Sequence, residues 1–469
     1  MNSVDLAFTP ALEQARLVRS KEVSPIELVE LYLERIQQLD SRLGSYFTIT
    51  AELALADAQV KTEILATTDD PGELPPFWGV PISVKDLNPV QGVPCSYGCP
   101  ALVNQIATYD DGVVTRIKRA GFVILGKTAT SEVGTLPYTE RAGFPPTRNP
   151  WNLDYTPGGS SGGAAASLAA GLCAIAQGSD GGGSIRGPAA CCGLVGIKPA
   201  RGRVSAAPVG DRLSGIGTNG PLAHTVADAA ALLDVMSGYV TGDPYWLPDP
   251  EQPFVTATLH KPHPLKIAFS TSLPPLGDIH PVYQQAVLET VHLLEGMGHI
   301  VEPGCPNFTG LIEPFTQIWQ TGASASGIPL EALGPLNRWL AEQANSSSEY
   351  LRAVTEMQMI ARQIVAFFDA VDVLVLPTYM HPPIQIGEWA DLEPEETLHK
   401  IIRWVAPCPP FNASGQPAIA LPVGVDANGL PMGIQLIGKP AAEATLIALA
   451  AQIEAAKPWS DRRPSFAVQ

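Results

Sequence analysis

Two glycine-rich segments that carry serines constrain the fold of this chain more than any other feature. They are Gly158-Gly-Ser-Ser-Gly-Gly163 and Gly181-Gly-Gly-Ser184, with an alanine-rich apolar stretch between them. Ser160 and Ser184 lie 24 residues apart. A lone glycine-rich loop usually serves backbone geometry only. Two such loops close together in the chain indicate a functional site, because strained backbone tends to collect at such sites.

Each loop has a structural and a chemical interpretation. Successive glycines let backbone N–H groups turn toward one point and bind an anion. If Ser184 is a nucleophile, the N–H groups of its loop are placed to stabilise an oxyanion. The structural alternative makes Ser184 the N-cap of a helix after a tight turn. The loop around Ser160 has a similar alternative, a turn before a helix of small residues that packs closely on a sheet.

Lys85 ends the run Gly79-Val-Pro-Ile-Ser-Val-Lys85, which predicts a buried strand. A charged lysine in such a place is costly unless it is paired or neutral. Burial lowers the pKa of a lysine, and a neutral lysine is a general base. The alternatives are an ion pair with the adjacent Asp86 and a side chain that reaches the surface.

Composition excludes several classes of protein. The net charge of −17 and the absence of a basic cluster argue against nucleic acid as a partner. Cys95 and Cys99 have no matching His or Cys pair, so we expect no metal site, and the seven cysteines do not suggest a disulfide framework. The N-terminus does not look like a signal peptide, and no apolar run is long enough to span a bilayer. We expect a cytoplasmic protein without a membrane contact.

The hydrophobic pattern predicts an α/β fold with a large mixed, mostly parallel sheet core covered by helices on both faces. Ser24-Pro-Ile-Glu27 is a capping box that opens a helix over 25–40, and 10–19 and 51–66 are further predicted helices. Beyond residue 75, short apolar strands alternate with helices, which is typical of parallel sheets. We expect a single domain with three parts: an N-terminal helical layer (1–75), a core that holds the signature motifs (76–240), and a C-terminal part that completes the sheet and the pocket (241–469).

Lys85, Ser160, Ser184 and their loops resemble the amidase signature family of hydrolases. The resemblance covers most of the chain, and the segment around Ser184 is its most specific part. Further matching segments are 121–128, 149–154, 193–199, 410–422 and 433–438.

The resemblance implies a role for each site residue. Ser184 is the nucleophile, Ser160 the bridging serine after a cis peptide bond, and Lys85 the base. An acyl-enzyme is the implied intermediate, and no cofactor or metal is needed. The implied oxyanion hole consists of the backbone N–H groups of Gly181, Gly182, Gly183 and Ser184, and the implied braces of the loop are Asp180 and Arg186. Many relatives carry a larger residue at one of the first two glycine positions, so the triple glycine predicts more room or more flexibility there.

Two other motif matches fail on structural context. Gly121-x-x-x-x-Gly126-Lys127-Thr128 fits a phosphate-binding loop, but its variable residues form a predicted strand, whereas that loop must follow the strand. Gly159-x-Ser161-x-Gly163 fits the nucleophile elbow of α/β-hydrolases, but no convincing buried strand precedes it. That elbow also needs a catalytic histidine, and the downstream histidines lie in unremarkable contexts.

We expect a free amidase that acts on a small-molecule carboxamide or an N-substituted amide. The alternative is the glutamine-hydrolysing A subunit of a tRNA-dependent amidotransferase, although residues 327–339 lack the arginine-rich segment of that group. An inactive scaffold is a third possibility, which the intact Lys85, Ser160 and Ser184 oppose. Segments 305–345, 135–150 and 380–410 should set the substrate preference, and Phe315, Trp319, Trp339, Trp389 and Trp404 are candidate pocket aromatics. Aryl, aliphatic and cyclic amides are comparable candidate substrates. The oligomeric state is also open, and a homodimer is the commonest arrangement among soluble oligomers.

Overall fold

The computed structural model describes residues 2–140, 143–211 and 213–468. Its strands are β1 (Tyr46–Ile49), β2 (Pro81–Lys85), β3 (Val123–Thr128), β4 (Ile175–Asp180), β5 (Val195–Lys198), β6 (Thr218–Ala223), β7 (Lys266–Phe269), β8 (Ser272–Leu273), β9 (Gly277–Asp278), β10 (Ile300–Pro303), β11 (Val373–Pro377), β12 (Ala418–Val425) and β13 (Pro431–Gly438). Its helices are α1 (Ser3–Ala7), α2 (Ala11–Arg19), α3 (Pro25–Leu43), α4 (Ala51–Thr67), α5 (Gly112–Arg119), α6 (Gly162–Ala169), α7 (Arg186–Cys192), α8 (Val226–Met236), α9 (Phe254–Ala257), α10 (Pro281–Gly296), α11 (Ile312–Ser324), α12 (Pro335–Glu342), α13 (Ser347–Ala366), α14 (Pro394–Val405), α15 (Pro409–Ala413) and α16 (Glu443–Ala456).

Eleven strands form one mixed sheet in the order β1-β3-β2-β4-β6-β5-β12-β13-β11-β7-β10. The predicted α/β class and the large mixed sheet are confirmed, but the expected majority of parallel pairings is not found. Among the described strands, β2, β3 and β4 pair in parallel, as do β11, β7 and β10, and the middle of the sheet is antiparallel. One reason is the five-residue connection between β12 and β13, since only antiparallel neighbours can be joined by so short a turn.

We expected the first 75 residues to be a purely helical layer, but they also contain a strand. Strand β1 lies at the edge of the sheet and pairs antiparallel with β3. The four-residue strand is too short to give a clear alternating pattern, and the helices on either side of it obscure the signal. The prediction for α3 is confirmed: the Ser24 side chain accepts from the Glu27 N–H, and the Glu27 carboxylate accepts from Ser24 in return.

Helices cover both faces of the sheet where the serine loops attach. Every residue of β2, β5 and β11 is buried. Since successive side chains of a strand point to opposite faces, burial along the whole strand requires packing on both sides. Helices α6 and α7 are also buried at every residue, and they follow the two glycine-rich loops directly. Within the described residues, no helix combines the length and apolar character needed to cross a membrane.

Candidate active site

The candidate site lies at the carboxyl ends of two neighbouring strands. Strands β2 and β4 run parallel, with Ile82 opposite Ile175 and Val84 opposite Gln177. Their ends therefore meet at the same edge of the sheet, the edge at which α/β proteins usually build sites. This arrangement places Lys85, the last residue of β2, beside Ser179 near the end of β4.

The Lys85 ammonium nitrogen is buried among oxygen atoms. Lys85 Nζ lies 2.7 Å from Ser160 Oγ, 3.0 Å from Ser179 Oγ and 3.3 Å from the Ser179 carbonyl oxygen. The Lys85 side chain is fully buried. Burial lowers its pKa to about 7, and the charge of Asp180 opposes this shift only in part. A lysine with such a pKa is neutral in a large fraction of molecules at neutral pH, so it can accept a proton.

The alternative of an ion pair between Lys85 and Asp86 is wrong. Asp86 Oδ1 instead lies 2.9 Å from Lys127 Nζ, and both of these side chains are buried. Adjacent residues at the end of a strand point in different directions, so the two neighbours have separate partners. Lys127 lies within β3 itself, a position that does not fit the phosphate-loop interpretation of that segment.

Ser160 joins the lysine to the second serine loop. The peptide bond between Gly159 and Ser160 is cis, as the resemblance implies. Ser160 is 1% exposed, and its hydroxyl oxygen faces Lys85 Nζ. The N–H of the next residue, Ser161, donates to the Ser184 carbonyl oxygen at 3.3 Å and thereby holds the two loops together.

The Ser161 hydroxyl is occupied by hydrogen bonds to the backbone of Ser179. Its hydroxyl donates to the Ser179 carbonyl oxygen at 3.2 Å and accepts from the Ser179 N–H at 3.3 Å. Its side chain is fully buried. These contacts argue against the nucleophile-elbow interpretation, in which the hydroxyl of Ser161 would have to be exposed and paired with a base.

Ser184 ends the triple-glycine loop and is 8% exposed. Gly183 has φ of +122°, a conformation that favours glycine, and its N–H donates to Asp180 Oδ1 at 2.7 Å. Within the described part of the chain, the N–H groups of Gly181, Gly182 and Ser184 make no hydrogen bond to protein. Of the predicted oxyanion donors, Gly183 is therefore already engaged, while the others are free to bind a ligand.

Asp180 and Arg186, which the resemblance implies as braces of this loop, form an ion pair beside it. The two side chains are fully buried, with Arg186 Nη2 3.0 Å from Asp180 Oδ1 and Arg186 Nε 3.1 Å from Asp180 Oδ2. The Asp180 carboxylate also accepts from the N–H of Ile185 at 3.1 Å. Burial alone would raise the pKa of Asp180, but the Arg186 guanidinium and the surrounding hydrogen bonds hold it below its ordinary value. The carboxylate thus stays charged and fixes the loop on both sides of Ser184.

An apolar cavity of about 120 Å³ opens in front of Ser184. Its walls come from segment 305–345 (Phe308, Leu311, Ile312, Phe315, Thr316, Trp319, Leu336, Leu340), from the other two expected segments (Thr135–Pro137, and Leu398, Ile401, Ile402, Val405, Ala406, Pro409, Pro410) and from Leu273–Leu276, Gly159, Gly182, Gly183 and Tyr379. Residues 141 and 142 of segment 135–150 lie outside the described residues. The contribution of 273–276 was not expected, because the segment carries only short apolar residues and prolines.

Only two of the five candidate aromatics line this cavity. Phe315 and Trp319 lie on α11 with their rings stacked, the centroids 5.9 Å apart. Trp404 is instead fully buried, and its indole N–H donates to the His381 carbonyl oxygen at 2.9 Å. Trp389 packs edge-on against it. Trp339 lies on α12 and belongs to a small apolar cluster that shares Trp319, Leu336, Leu340 and Leu398 with the cavity wall. Trp339 itself is not among the described residues of that wall.

Comparisons with known proteins match this geometry to one family. A model of the family described as Amidase matches residues 27–447. A Synechocystis sp. protein named "Putative amidase" is 55% identical over 450 residues, which is 96% of this chain and 89% of that protein. The solved structure of a 6-aminohexanoate cyclic dimer hydrolase has a TM-score of 0.92 and 31% identity, covering 98% of this chain and 99% of that one. A bacterial aryl acylamidase of the amidase signature family has a TM-score of 0.87 and 27% identity over 98% of each chain.

The chain belongs to the amidase signature family. It is accordingly an amidase, a hydrolase of amide C–N bonds, and its fold is the amidase signature fold.

Sequence reasoning missed several residues that contact the candidate site residues. Ser179 gives Lys85 two of its three oxygen partners, and Gln177 accepts from the Lys85 backbone N–H at 3.0 Å. Asn412 Oδ1 and Gln435 Oε1 accept from Arg186 at 2.6 and 2.9 Å. The sequence did contain a signal for these residues. Gln177 and Ser179 are polar residues within a buried strand, and Asn412 and Gln435 lie in segments that match the family. Buried polar side chains need such partners.

The Asp180–Arg186 pair should be essential for stability as a unit. Arg186→Met leaves a buried, unpaired carboxylate, so we expect it to cost about 3–5 kcal/mol in the free energy of unfolding. Adding Asp180→Asn removes that charge, and the double variant should cost clearly less than the sum of the two single variants. Urea unfolding followed by circular dichroism measures the cycle. Additive effects would show that the two side chains stabilise the loop independently.

Proposed function

We propose that this amidase cleaves a carboxamide or N-substituted amide with Ser184 as nucleophile, Ser160 as proton relay and Lys85 as general base. The observation that carries the proposal is the 2.7 Å contact between Lys85 Nζ and Ser160 Oγ, made by a lysine that is buried without a carboxylate partner. A buried lysine of lowered pKa beside a hydroxyl is the pairing that general-base catalysis needs.

The first half of the proposed reaction forms an acyl-enzyme. Neutral Lys85 takes the proton of Ser160, Ser160 takes that of Ser184, and Ser184 Oγ bonds to the amide carbonyl carbon. The carbonyl π electrons move to oxygen. The free N–H groups of Gly181, Gly182 and Ser184 are the donors we assign to that oxyanion. The Gly183 N–H, which the resemblance also implies as a donor, is held by Asp180 and shapes the loop instead.

The second half releases both products. The oxyanion collapses, the C–N bond breaks, and the amine leaves with the proton that Ser160 and Lys85 return to its nitrogen. Water then attacks the acyl-enzyme with the same relay as base, and the carboxylate product and free Ser184 result. No step requires a cofactor or a metal ion.

The alternative of a glutamine-hydrolysing subunit is less well supported. Among the described residues of the cavity wall, none carries a charged side chain. Glutamine would bring a carboxylate and an ammonium group into this space, and unpaired charges in an apolar cavity are costly. An inactive scaffold is also disfavoured, because it would have no use for the buried Lys85. A cytoplasmic location and a homodimer stay predictions.

Ser184→Ala and Ser161→Ala provide a matched test of the proposed nucleophile. Both changes remove one hydroxyl from neighbouring loops, but only Ser184 faces the cavity. Loss of a serine nucleophile lowers kcat by up to about 10⁶-fold, so Ser184→Ala should abolish measurable hydrolysis of amides, while Ser161→Ala keeps turnover within about tenfold of the parent. Release of 4-nitroaniline from an acyl 4-nitroanilide is the readout. The reverse pattern would contradict the proposal.

The pH dependence of the rate tests the role of Lys85. The pKa of Lys85 is about 7, and only the neutral form is a base. We therefore expect kcat/KM to rise about tenfold per pH unit below pH 7 and to level off above it. The Lys85→Met variant should lose about 10²–10⁴-fold in rate and also the rise with pH. A profile that falls as pH increases through 7 would exclude a neutral lysine as the base.

A further inference from the structure

The two serines of the proposed relay line two different pockets, Ser184 the first and Ser160 the second. The apolar cavity in front of Ser184 is described above. A second space is lined by apolar residues, among them Leu87, Val204, Val209 and Leu213, and by polar ones. We call it the polar pocket because its lining also includes Ser160, Ser179, Asn88, Tyr109, Asp111, Ser205, Asp211, Thr218 and Asn219. Thr135 and Trp319 belong to both linings, so these two side chains form the boundary.

The two pockets differ in charge. Among the described residues, the apolar cavity has no charged side chain, whereas the charged side chains of the polar pocket are the carboxylates of Asp111, Asp180 and Asp211. Asp180 is paired with Arg186. Within the described residues, Asp111 accepts from Val113 N–H and Asn88, and Asp211 accepts from the N–H groups of Leu213 and Gly215.

The proposed mechanism assigns the two halves of the substrate to the two pockets. The leaving nitrogen must receive its proton from Ser160, and Ser160 lines the polar pocket. The acyl carbon bonds to Ser184, which lines the apolar cavity with Gly182 and Gly183. The acyl group therefore extends into the apolar cavity, and the amine departs through the polar pocket.

The dimensions of the apolar cavity limit the acyl group. Its volume of about 120 Å³ is close to that of a 150 Å³ protein cavity that binds benzene. The stacked rings of Phe315 and Trp319 form one wall, against which a flat or flexible apolar group can pack. The Trp319 ring also occupies the space beside Gly181, where an added Cβ would lie 3.2 Å from it. Gly181 thus makes room for the Trp319 ring rather than for the substrate.

We propose that the apolar cavity is a charge filter for the acyl half of the substrate, and that the enzyme selects amides of compact, uncharged, apolar carboxylic acids of about the size of a benzoyl or hexanoyl group. This inference rests on the proposed function, because it uses the roles of Ser184 and Ser160 to assign the pockets. The proposed filter distinguishes the candidate substrates by the charge of the acyl group. Aryl, aliphatic and cyclic amides with an uncharged acyl group are accepted, and amides with a carboxylate on the acyl side are rejected.

A matched pair of substrates tests the filter. Hexanoyl 4-nitroanilide and the mono-4-nitroanilide of adipic acid have the same chain length and leaving group, and they differ in a terminal methyl or carboxylate. Burial of an unpaired carboxylate is unfavourable, so we expect kcat/KM for the hexanoyl compound to exceed that for the adipoyl compound by at least about 100-fold.

A lysine placed in the cavity wall should weaken this preference. Thr316 lies on α11 in that wall and is only partly buried, so Thr316→Lys can bring an ammonium group to the carboxylate. We expect the ratio of the two kcat/KM values to narrow by at least about tenfold, through a gain on the adipoyl compound. Ser324→Lys is the control, because Ser324 ends the same helix, is exposed and does not line the cavity. It should leave the ratio unchanged.

The outcomes separate this inference from the proposed function. Equal rates for the two compounds in the parent enzyme, both lost in Ser184→Ala, would leave the nucleophile in place and overturn the charge filter. An unchanged ratio in Thr316→Lys, with the folded state intact by circular dichroism, would show that the acyl group does not enter this cavity. Hydrolysis of the hexanoyl compound that persists in Ser184→Ala, or its absence in the parent enzyme, would overturn the proposed function and this inference with it.

Discussion

The site depends on a lysine that the fold buries without giving it a carboxylate. Lys85 ends a strand whose every residue is buried, and within the described part of the chain its side-chain nitrogen contacts the oxygen atoms of Ser160 and Ser179. The nearest candidate for an ion pair, Asp86, is held instead by Lys127. Because desolvation disfavours the ammonium form, the pKa of Lys85 falls to about 7. The remaining features of the site position hydroxyl groups around this one nitrogen.

The buried ion pair between Asp180 and Arg186 differs from Lys85, because both of its side chains keep their charge. Asp180 and Arg186 lie on either side of the triple-glycine loop, and both stay charged because they face each other. Their hydrogen bonds to Gly183, Ile185, Asn412 and Gln435 fix the triple-glycine loop between β4 and α7. A loop of three glycines would otherwise be flexible, since glycine loses the most conformational freedom on folding. The structure therefore combines free N–H groups with a rigid backbone, which is what preorganised stabilisation of an oxyanion requires.

Much of the site is predictable from the sequence because its residues lie in short, specific motifs. Lys85, Ser160, Ser184, Asp180 and Arg186 each belong to a motif in which glycine or a buried charge demands an explanation. The mixed sheet and most helices follow from hydrophobic periodicity, as α3 illustrates with its capping box. Edge strand β1 escaped prediction because four residues carry too little pattern. The antiparallel centre of the sheet escaped because alternation of strands and helices says little about strand direction when connections vary in length.

The cavity was harder to predict, since its walls come from segments far apart in the chain. Hydrophobicity alone does not distinguish an aromatic residue that lines a cavity from one in the core, which is why Trp319 and Trp404 looked equivalent in the sequence and differ in the structure. The contribution of 273–276 depends on long-range packing, and no local motif marks it. The charge of the walls, and hence the acyl preference proposed for the enzyme, is visible only once these segments are assembled.

Covalent labelling is the most direct test of the central claim that Lys85 and Ser160 activate Ser184. The purified enzyme is treated with a fluorophosphonate, and peptide mass spectrometry locates the adduct in the parent and in Lys85→Met and Ser160→Ala. We expect the adduct on Ser184, formed much more slowly in both variants. An adduct on Ser161, or labelling of Ser184 at the parent rate in both variants, would contradict the account.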